Sequence, residues 1–220
     1  RRCRRKRSTT GSHRVAAGLA RRSASLSPKR NDQTQFPRLV ALSAPSGAGK
    51  TTLCAMLLRQ FPEFALSIST TTRAPRPNER EGVHYFFVDD AEFQRRVDAG
   101  EFVEWALVHD RRYGTSKRTV ETLLAQGKHI LFDIDVQGAM SLRRLYPERA
   151  LLVFICPPSE EALRERLSLR KSDSPEVQAV RLANAKRELE WAPQFDYAIV
   201  NDDLDRAFDE LRSILEKECL

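Results

Sequence analysis

The most chemically telling stretch of the sequence is Ala44-Pro45-Ser46-Gly47-Ala48-Gly49-Lys50-Thr51. It matches the phosphate-loop pattern G-x-x-x-x-G-K-[ST] except that Ala44 replaces the first glycine, and it has the required context: an apolar run before it and a helical pattern after it. Gly47 and Gly49 allow backbone N–H groups to turn inward around phosphate oxygens, and the dipole of the following helix adds positive potential there. Lys50 has the reach for the β and γ phosphates of a nucleoside triphosphate. Thr51, with Thr52 next in the turn, would place its hydroxyl on Mg²⁺, and Asp133, which closes the run Ile130-Leu131-Phe132, is the acidic partner expected of a Walker B strand. A solvated lysine in a glycine-rich turn would not need those flanking elements. The loop implies a nucleoside triphosphate as ligand but leaves the acceptor open.

A second group of residues bears on the acceptor. Ser69-Thr70-Thr71-Thr72-Arg73-Ala74-Pro75-Arg76 is followed by Glu79, Gly82 and Tyr85, then by Glu104-Trp105-Ala106, Tyr113-Gly114-Thr115, Asp133-Ile134-Asp135-Val136-Gln137-Gly138 and Asn201-Asp202-Asp203-Leu204-Asp205. Together with the phosphate loop these resemble the guanylate kinase family, over residues 38 to 216. The resemblance implies transfer of the γ-phosphoryl group of ATP to GMP, or dGMP, in purine nucleotide metabolism and GMP recycling. It implies that Ser69, Arg73, Arg76, Tyr85 and Tyr113 hold the GMP phosphate, that Glu104, Thr115 and Asp135 read guanine, and that Asn201 lies with the ATP-binding loop. It further implies that Arg166, Arg170 and Arg181 sit on a mobile lid over ATP and join Lys50 and Arg73 as the catalytic cations, with Mg²⁺ as cofactor. Arg164 fits an ordinary basic helix face instead.

The chemistry of these residue types agrees with the resemblance. Guanine presents an N1–H and a 2-amino group, both donors, to which carboxylates are natural acceptors; adenine has neither donor. A site built to accept such hydrogens can reject an analogue lacking them by about 10⁴ to 10⁵. Forked guanidiniums and tyrosine hydroxyls suit a dianionic phosphate. Arginines near the migrating group supply charge neutralisation, and closure of a lid would exclude water as a competing acceptor. A catalytically silent scaffold of the same fold would lack a working phosphate loop, and a kinase for a sugar phosphate would have no use for two acceptors at the base position. Two departures from the family pattern stand out: Thr70 where many bacterial members have histidine, next to the expected phosphate site, and Ser168-Leu169-Arg170-Lys171 without the glycines that usually flank the lid arginine.

The elements that must position these residues follow from periodicity. From Leu39 onward, short apolar runs alternate with helical patterns, as in a parallel sheet covered by helices on both faces. Strands are expected at Leu39 to Ser43, Phe64 to Ser69, His84 to Val88, Phe102 to Val108, His129 to Asp133, Ala150 to Cys156 and Tyr197 to Val200. Helices are expected at Thr51 to Arg59, Ala91 to Ala99, Ser116 to Ala125, Gln137 to Leu145, Glu160 to about Arg170, Pro175 to Glu190 and Leu204 to Lys217, the sixth opened by Ser174-Pro175-Glu176 as cap, first-turn proline and early acid. The expected fold is α/β, a three-layer α/β/α core with a parallel central sheet; the resemblance implies that this is a P-loop NTPase core carrying a small mixed α/β GMP-binding subdomain and a helical lid. The domain runs over 36–220, with core segments 36–68, 118–163 and 184–220, the GMP-binding insert 69–117 and the lid 164–183.

Charge marks off a further segment. Residues 1–31 hold 11 of the 37 Lys and Arg and no acid, leaving 26 basic against 30 acidic residues in the rest of the 220-residue chain. The segment 1–35 lacks a hydrophobic period and is expected to be a disordered basic extension. A basic surface suited to nucleic acid is confined to that extension, so nucleic acid is not an expected partner of the body. The expected partners are the small molecules ATP and GMP, with monomer and homo-oligomer both open. The extension's Arg- and Ser-rich make-up also matches an organelle transit peptide, so the expected location is cytoplasmic, or mitochondrial or plastid if the extension is such a signal. Cys3, Cys54, Cys156 and Cys219 lack metal-binding spacing and fit reduced thiols. The longest apolar run, Ala150 to Cys156, is too short to cross a bilayer, and no membrane partner is expected.

Overall fold

The computed structural model of the chain describes residues 36–108, 110–168 and 175–220. The basic extension 1–35 and Arg170 lie outside the described residues.

A central sheet of five parallel strands runs in the order β2 (Phe64–Leu66), β7 (His129–Asp133), β1 (Leu39–Ser43), β8 (Ala150–Cys156) and β9 (Tyr197–Val200). Strands covered on both faces read as continuous apolar runs, and all seven residues of β8 and all five of β1 are buried. Alternation then divides them. Val40 and Leu42 face a core built with Leu53 and Leu57 of α1 (Lys50–Gln60) and with Phe208, Leu211 and Leu215 of α7 (Leu204–Glu218). Leu39 and Ala41 face the opposite core, with Val120 of α3 (Lys117–Ala125) and Val136, Ala139 and Leu142 of α4 (Val136–Leu145). Each fully buried Leu or Phe in these layers contributes about 1.5–3 kcal/mol relative to exposure. Among the described residues no helix is long and apolar enough to cross a membrane.

The second sheet has four short strands in the order β4 (Phe86–Phe87), β3 (Thr70–Thr71), β6 (Arg111–Ser116) and β5 (Phe102–Val108). Its registers decide which side chains meet. Thr71 pairs with Tyr113, and Thr115 with Glu104, so these four share one face, while Thr70, Gly114 and Trp105 pair on the other. On that second face Phe93 of α2 (Asp90–Asp98) touches the rings of Phe102 and Trp105. The remaining helices are α5 (Glu160–Ser168) and α6 (Pro175–Leu189).

Three local expectations change. The run from Phe64 to Ser69 is not one strand: β2 stops at Leu66 and β3 begins at Thr70 in the other sheet. The run from His84 to Val88 narrows to β4. Arg111-Arg112-Tyr113-Gly114-Thr115-Ser116 forms β6, a strand without apolar alternation, because β5 and β3 offer it backbone partners on both sides. Asp110, with φ 59°, makes the turn that returns the chain from β5.

Candidate active site

At the carboxyl end of β1 the chain turns through Gly47 and Gly49, whose φ values of 92° and 97° suit only glycine, and enters α1. Asn201, at the end of β9, donates from Nδ2 to the carbonyl of Ala48 at 2.7 Å, and both residues are buried. A Cβ on Gly49 would stand 2.2 Å from that same nitrogen, so close approach as well as backbone conformation demands glycine there. Lys50 places Nζ 2.7 Å from Oδ1 of Asp133 and donates to the carbonyl of Ile134 at 2.9 Å. Burial works against the ammonium charge, but Asp133 outweighs it and holds the Lys50 pKa above its ordinary value. Thr51 and Thr52 are exposed at the start of α1.

Thr51 and Asp133 offer only oxygen donors, the kind that suits Mg²⁺. Among the described residues there is no group of three or more His, Cys, Asp or Glu able to cage a metal. An ion that keeps waters and binds through one or two protein oxygens and substrate phosphates needs no more than Thr51 and Asp133 from the protein, so their donor chemistry fits Mg²⁺.

Two of the three expected lid arginines are brought to the loop. Arg166 of α5 donates from Nη2 to the backbone oxygen of Asn201 at 2.9 Å, and Arg181 of α6 places Nη1 3.3 Å from Oγ of Ser46. Arg164 pairs instead with Glu160 at 3.5 Å on an exposed face.

The residues expected around the acceptor's phosphate gather on and beside the second sheet. Ser69 is buried just ahead of β3. Tyr85 and Tyr113 meet ring to ring with centroids 6.0 Å apart, and the Arg73 guanidinium lies 5.3 Å from the Tyr85 ring. Burial raises the Tyr85 hydroxyl's pKa, keeping it protonated and able to donate. Arg73 is gripped by Glu79, whose two oxygens lie 2.8 and 2.9 Å from Nη2, and Nη1 donates to the carbonyl of Ala74 at 2.7 Å. Glu79 also accepts from the Arg76 backbone N–H at 2.8 Å, while the Arg76 side chain is exposed. The hydrogen bond from Arg73 lowers the Glu79 pKa. Thr70, by contrast, points to the other face of the sheet, where its Oγ1 is buried without a hydrogen-bond partner among the described residues. Strand alternation is why a residue adjacent to Ser69 in sequence stands away from the tyrosines.

The residues expected at the base converge where β5 meets α4. Glu104 is 5% exposed and accepts the Thr115 hydroxyl hydrogen at Oε1, 2.6 Å away. Burial pushes its carboxyl up to about 7, the Thr115 hydrogen bond pulls it down, and the charge of Asp135 adds to the rise. Asp135 caps α4, its Oδ1 accepting from the Gly138 N–H at 2.9 Å. Two acceptor carboxylates thus stand side by side, one buried and one at a helix start.

Three features take their meaning only from the tertiary structure. Glu79 is part of the motif, but its grip on Arg73 is visible only in three dimensions; the spacing Arg73, Arg76, Glu79 was the available hint. Gly138 lies against both carboxylates. Glu188 of α6 is half-buried, and its carboxyl is pushed up to about 7 by burial, with Lys50 opposing and Asp135 adding to the shift; no local signal distinguishes it from the other acids of its helix.

Comparisons with known proteins agree on one family. The family model described as guanylate kinase matches residues 36–218. A guanylate kinase of Idiomarina loihiensis is 50% identical over 179 residues, which span 80% of this chain and 85% of that protein. One from Nitratidesulfovibrio vulgaris is 52% identical over 182 residues, spanning 83% and 87%. The crystal structure of guanylate kinase from Anaplasma phagocytophilum is 32% identical, covers 85% of this chain and 89% of its own, and superposes with a TM-score of 0.71.

Proposed function

We infer that this chain, which belongs to the guanylate kinase family, transfers the γ-phosphoryl group of ATP to GMP, giving ADP and GDP. The observation that carries the choice of acceptor is the pair Glu104 and Asp135, two carboxylates standing together beside a helix start, with Glu104 almost fully buried. Guanine's N1–H and 2-amino group supply the donors such a pair needs, and no other common base supplies both at those positions.

The remaining roles are our reading of the geometry. Thr115 spends its one hydroxyl hydrogen on Glu104, so toward guanine it can only accept; its first task is to aim that carboxylate. Arg73, Arg76, Ser69, Tyr85 and Tyr113 hold the GMP phosphate, Arg73 with the N–H groups that Glu79 and Ala74 leave over. The acceptor oxygen belongs to a phosphate whose second pKa is about 6, so it is already ionised at neutral pH and needs no general base. The loop 44–52, kept in shape by Asn201, cradles the ATP phosphates through backbone N–H groups. Lys50 exchanges its bond to Asp133 for the β and γ phosphates. Arg166 and Arg181, already at the loop, neutralise charge on the migrating group, and Arg170 is assigned the same task. Thr51 and Asp133 would hold Mg²⁺, partly through water, and the ion would offset the negative charge of the triphosphate.

The test is a coupled assay of ADP release with GMP, AMP, CMP and UMP as acceptors. We expect kcat/KM for GMP to exceed each of the others by about 10³ or more. Equal use of all four would overturn this function.

A further inference from the structure

Gly138 is the third residue of α4 and lies in its first turn, where a glycine still weakens the helix by freeing its backbone. Its φ is not among the positive values, so backbone conformation does not call for glycine. Space does. A Cβ at this position would stand 2.7 Å from Oε2 of Glu104, 3.3 Å from its Cδ and 3.3 Å from Oδ1 of Asp135. The nearest atoms beyond its own helix backbone thus belong to the two carboxylates read as facing the base. The bare Cα of Gly138 is therefore the floor on which both acids rest.

We propose that Gly138 is a specificity-determining position of this enzyme: by lacking a side chain it seats the Glu104 carboxylate against the first turn of α4, at the spacing from Asp135 that guanine requires. The inference rests on the reading of Glu104 and Asp135 as the acceptors for the base. Glu104 cannot retreat sideways without leaving Thr115, whose hydroxyl holds its other oxygen at 2.6 Å. The first turn also gives the seat its electrostatic sense. The Gly138 N–H is taken by Asp135, and the positive end of the helix faces both carboxylates. A methyl group on Gly138 meets the ends of the Glu104 and Asp135 side chains, so the fold yields, by a swing of Glu104 away from Thr115. Recognition does not, because an acceptor displaced by about 1 Å can cost about 10²-fold.

This separates a recognition role from a structural one. Gly138→Ala sets improved helix propensity against a weakened Thr115–Glu104 bond, so Tm measured without ligands should shift by only a few degrees. KM for GMP should rise about 10- to 100-fold. KM for ATP, and Tm stabilisation by ATP, should not move. A second arm uses the shorter acid: Glu104→Asp withdraws the carboxylate from the added methyl, so the loss in kcat/KM for GMP in the double variant should be smaller than the product of the two single losses. Unchanged KM for GMP in Gly138→Ala, equal losses toward GMP and ATP, or multiplicative losses in the double variant would each overturn the proposal. The wild-type enzyme assayed in parallel with the four nucleoside monophosphates keeps the two readings apart. A wild type that does not favour GMP sinks the assignment of the acids themselves, whereas a GMP-selective wild type with an unaltered Gly138→Ala sinks only the role of Gly138.

Discussion

Arg73 and Glu79 are joined through a single guanidinium nitrogen, Nη2, which lies 2.8 Å from one carboxylate oxygen of Glu79 and 2.9 Å from the other. The pair is mostly sheltered, with side-chain exposures of 18% and 13%, and the same carboxylate takes the Arg76 N–H. An acid beside a phosphate site opposes its ligand in charge, so its contribution must be geometric: it fixes the fork of Arg73 and the turn that carries Arg76. Glu79→Gln keeps the shape but replaces one acceptor oxygen with a donor. We expect KM for GMP to rise about tenfold, the loss of roughly one charge-assisted hydrogen bond, with KM for ATP unchanged. Steady-state kinetics with each substrate varied in turn checks this.

As the proposed reader of guanine, Glu104 should make GMP use dependent on pH. Its carboxyl, pushed up to about 7 by burial, must be ionised to accept from guanine. KM for GMP should therefore rise as pH falls below about 7, by up to tenfold per pH unit, and level off above it. Stability runs the opposite way. The unfolded carboxyl has a pKa of about 4.3, so between there and 7 the folded state binds more protons, and this group costs stability as pH rises. At pH 8 Glu104→Gln should gain on the order of 3 kcal/mol in unfolding free energy while losing at least about 10²-fold in kcat/KM for GMP. Urea unfolding at pH 8 and pH 5 measures the first, with the gain shrinking at pH 5.

The Lys50 ammonium lies 2.7 Å from Asp133, and in the proposed mechanism it passes from there to the ATP phosphates. Lys50→Met removes the charge and keeps most of the stem. Turnover should fall by about 10³-fold or more, with the circular dichroism spectrum and cooperative unfolding retained. A kcat within tenfold of wild type would remove Lys50 from the mechanism.

His129 opens β7 stacked on Phe64, its Nδ1 accepting from the Arg38 N–H at 3.0 Å. Burial lowers its pKa, so below about 6.5 the unfolded chain binds a proton that the folded chain resists. Its contribution is whole above that pH and is lost as pH falls toward the folded value. His129→Gln should flatten this acid limb. The difference in unfolding free energy between wild type and variant, followed from pH 8 to pH 5, isolates it from the opposite trend of Glu104.

Asn201 clamps the phosphate loop through Ala48. Asn201→Ala should loosen the loop and raise KM for ATP about tenfold, with KM for GMP within twofold of wild type. Isothermal titration with each nucleotide alone distinguishes the two.

Much of this was legible in the order of residues. The loop 44–51 carries its own chemistry, because glycines, a lysine and a threonine at fixed offsets between a strand and a helix have few other uses. Strands β1, β7 and β8 stood out with their observed bounds, since burial on both faces forces unbroken apolar runs that end sharply. The acidic and basic side chains of the acceptor site were identifiable as types in a pattern.

What tertiary structure alone decided is which of those side chains meet. Strand β6 has no apolar alternation to announce it and exists through its partners, yet its register with β3 and β5 is what turns Tyr113, Thr115 and Glu104 to one face and Thr70 to the other. The grip of Glu79 on Arg73, the clamp of Asn201 on Ala48 across 153 positions and the seat that Gly138 offers Glu104 all depend on ångström-scale approach between segments distant in the chain or folded back on one another. Residue type and spacing encode what a group can do; distance and burial, which set its charge state and its partner, arise only when the sheets and helices close around it.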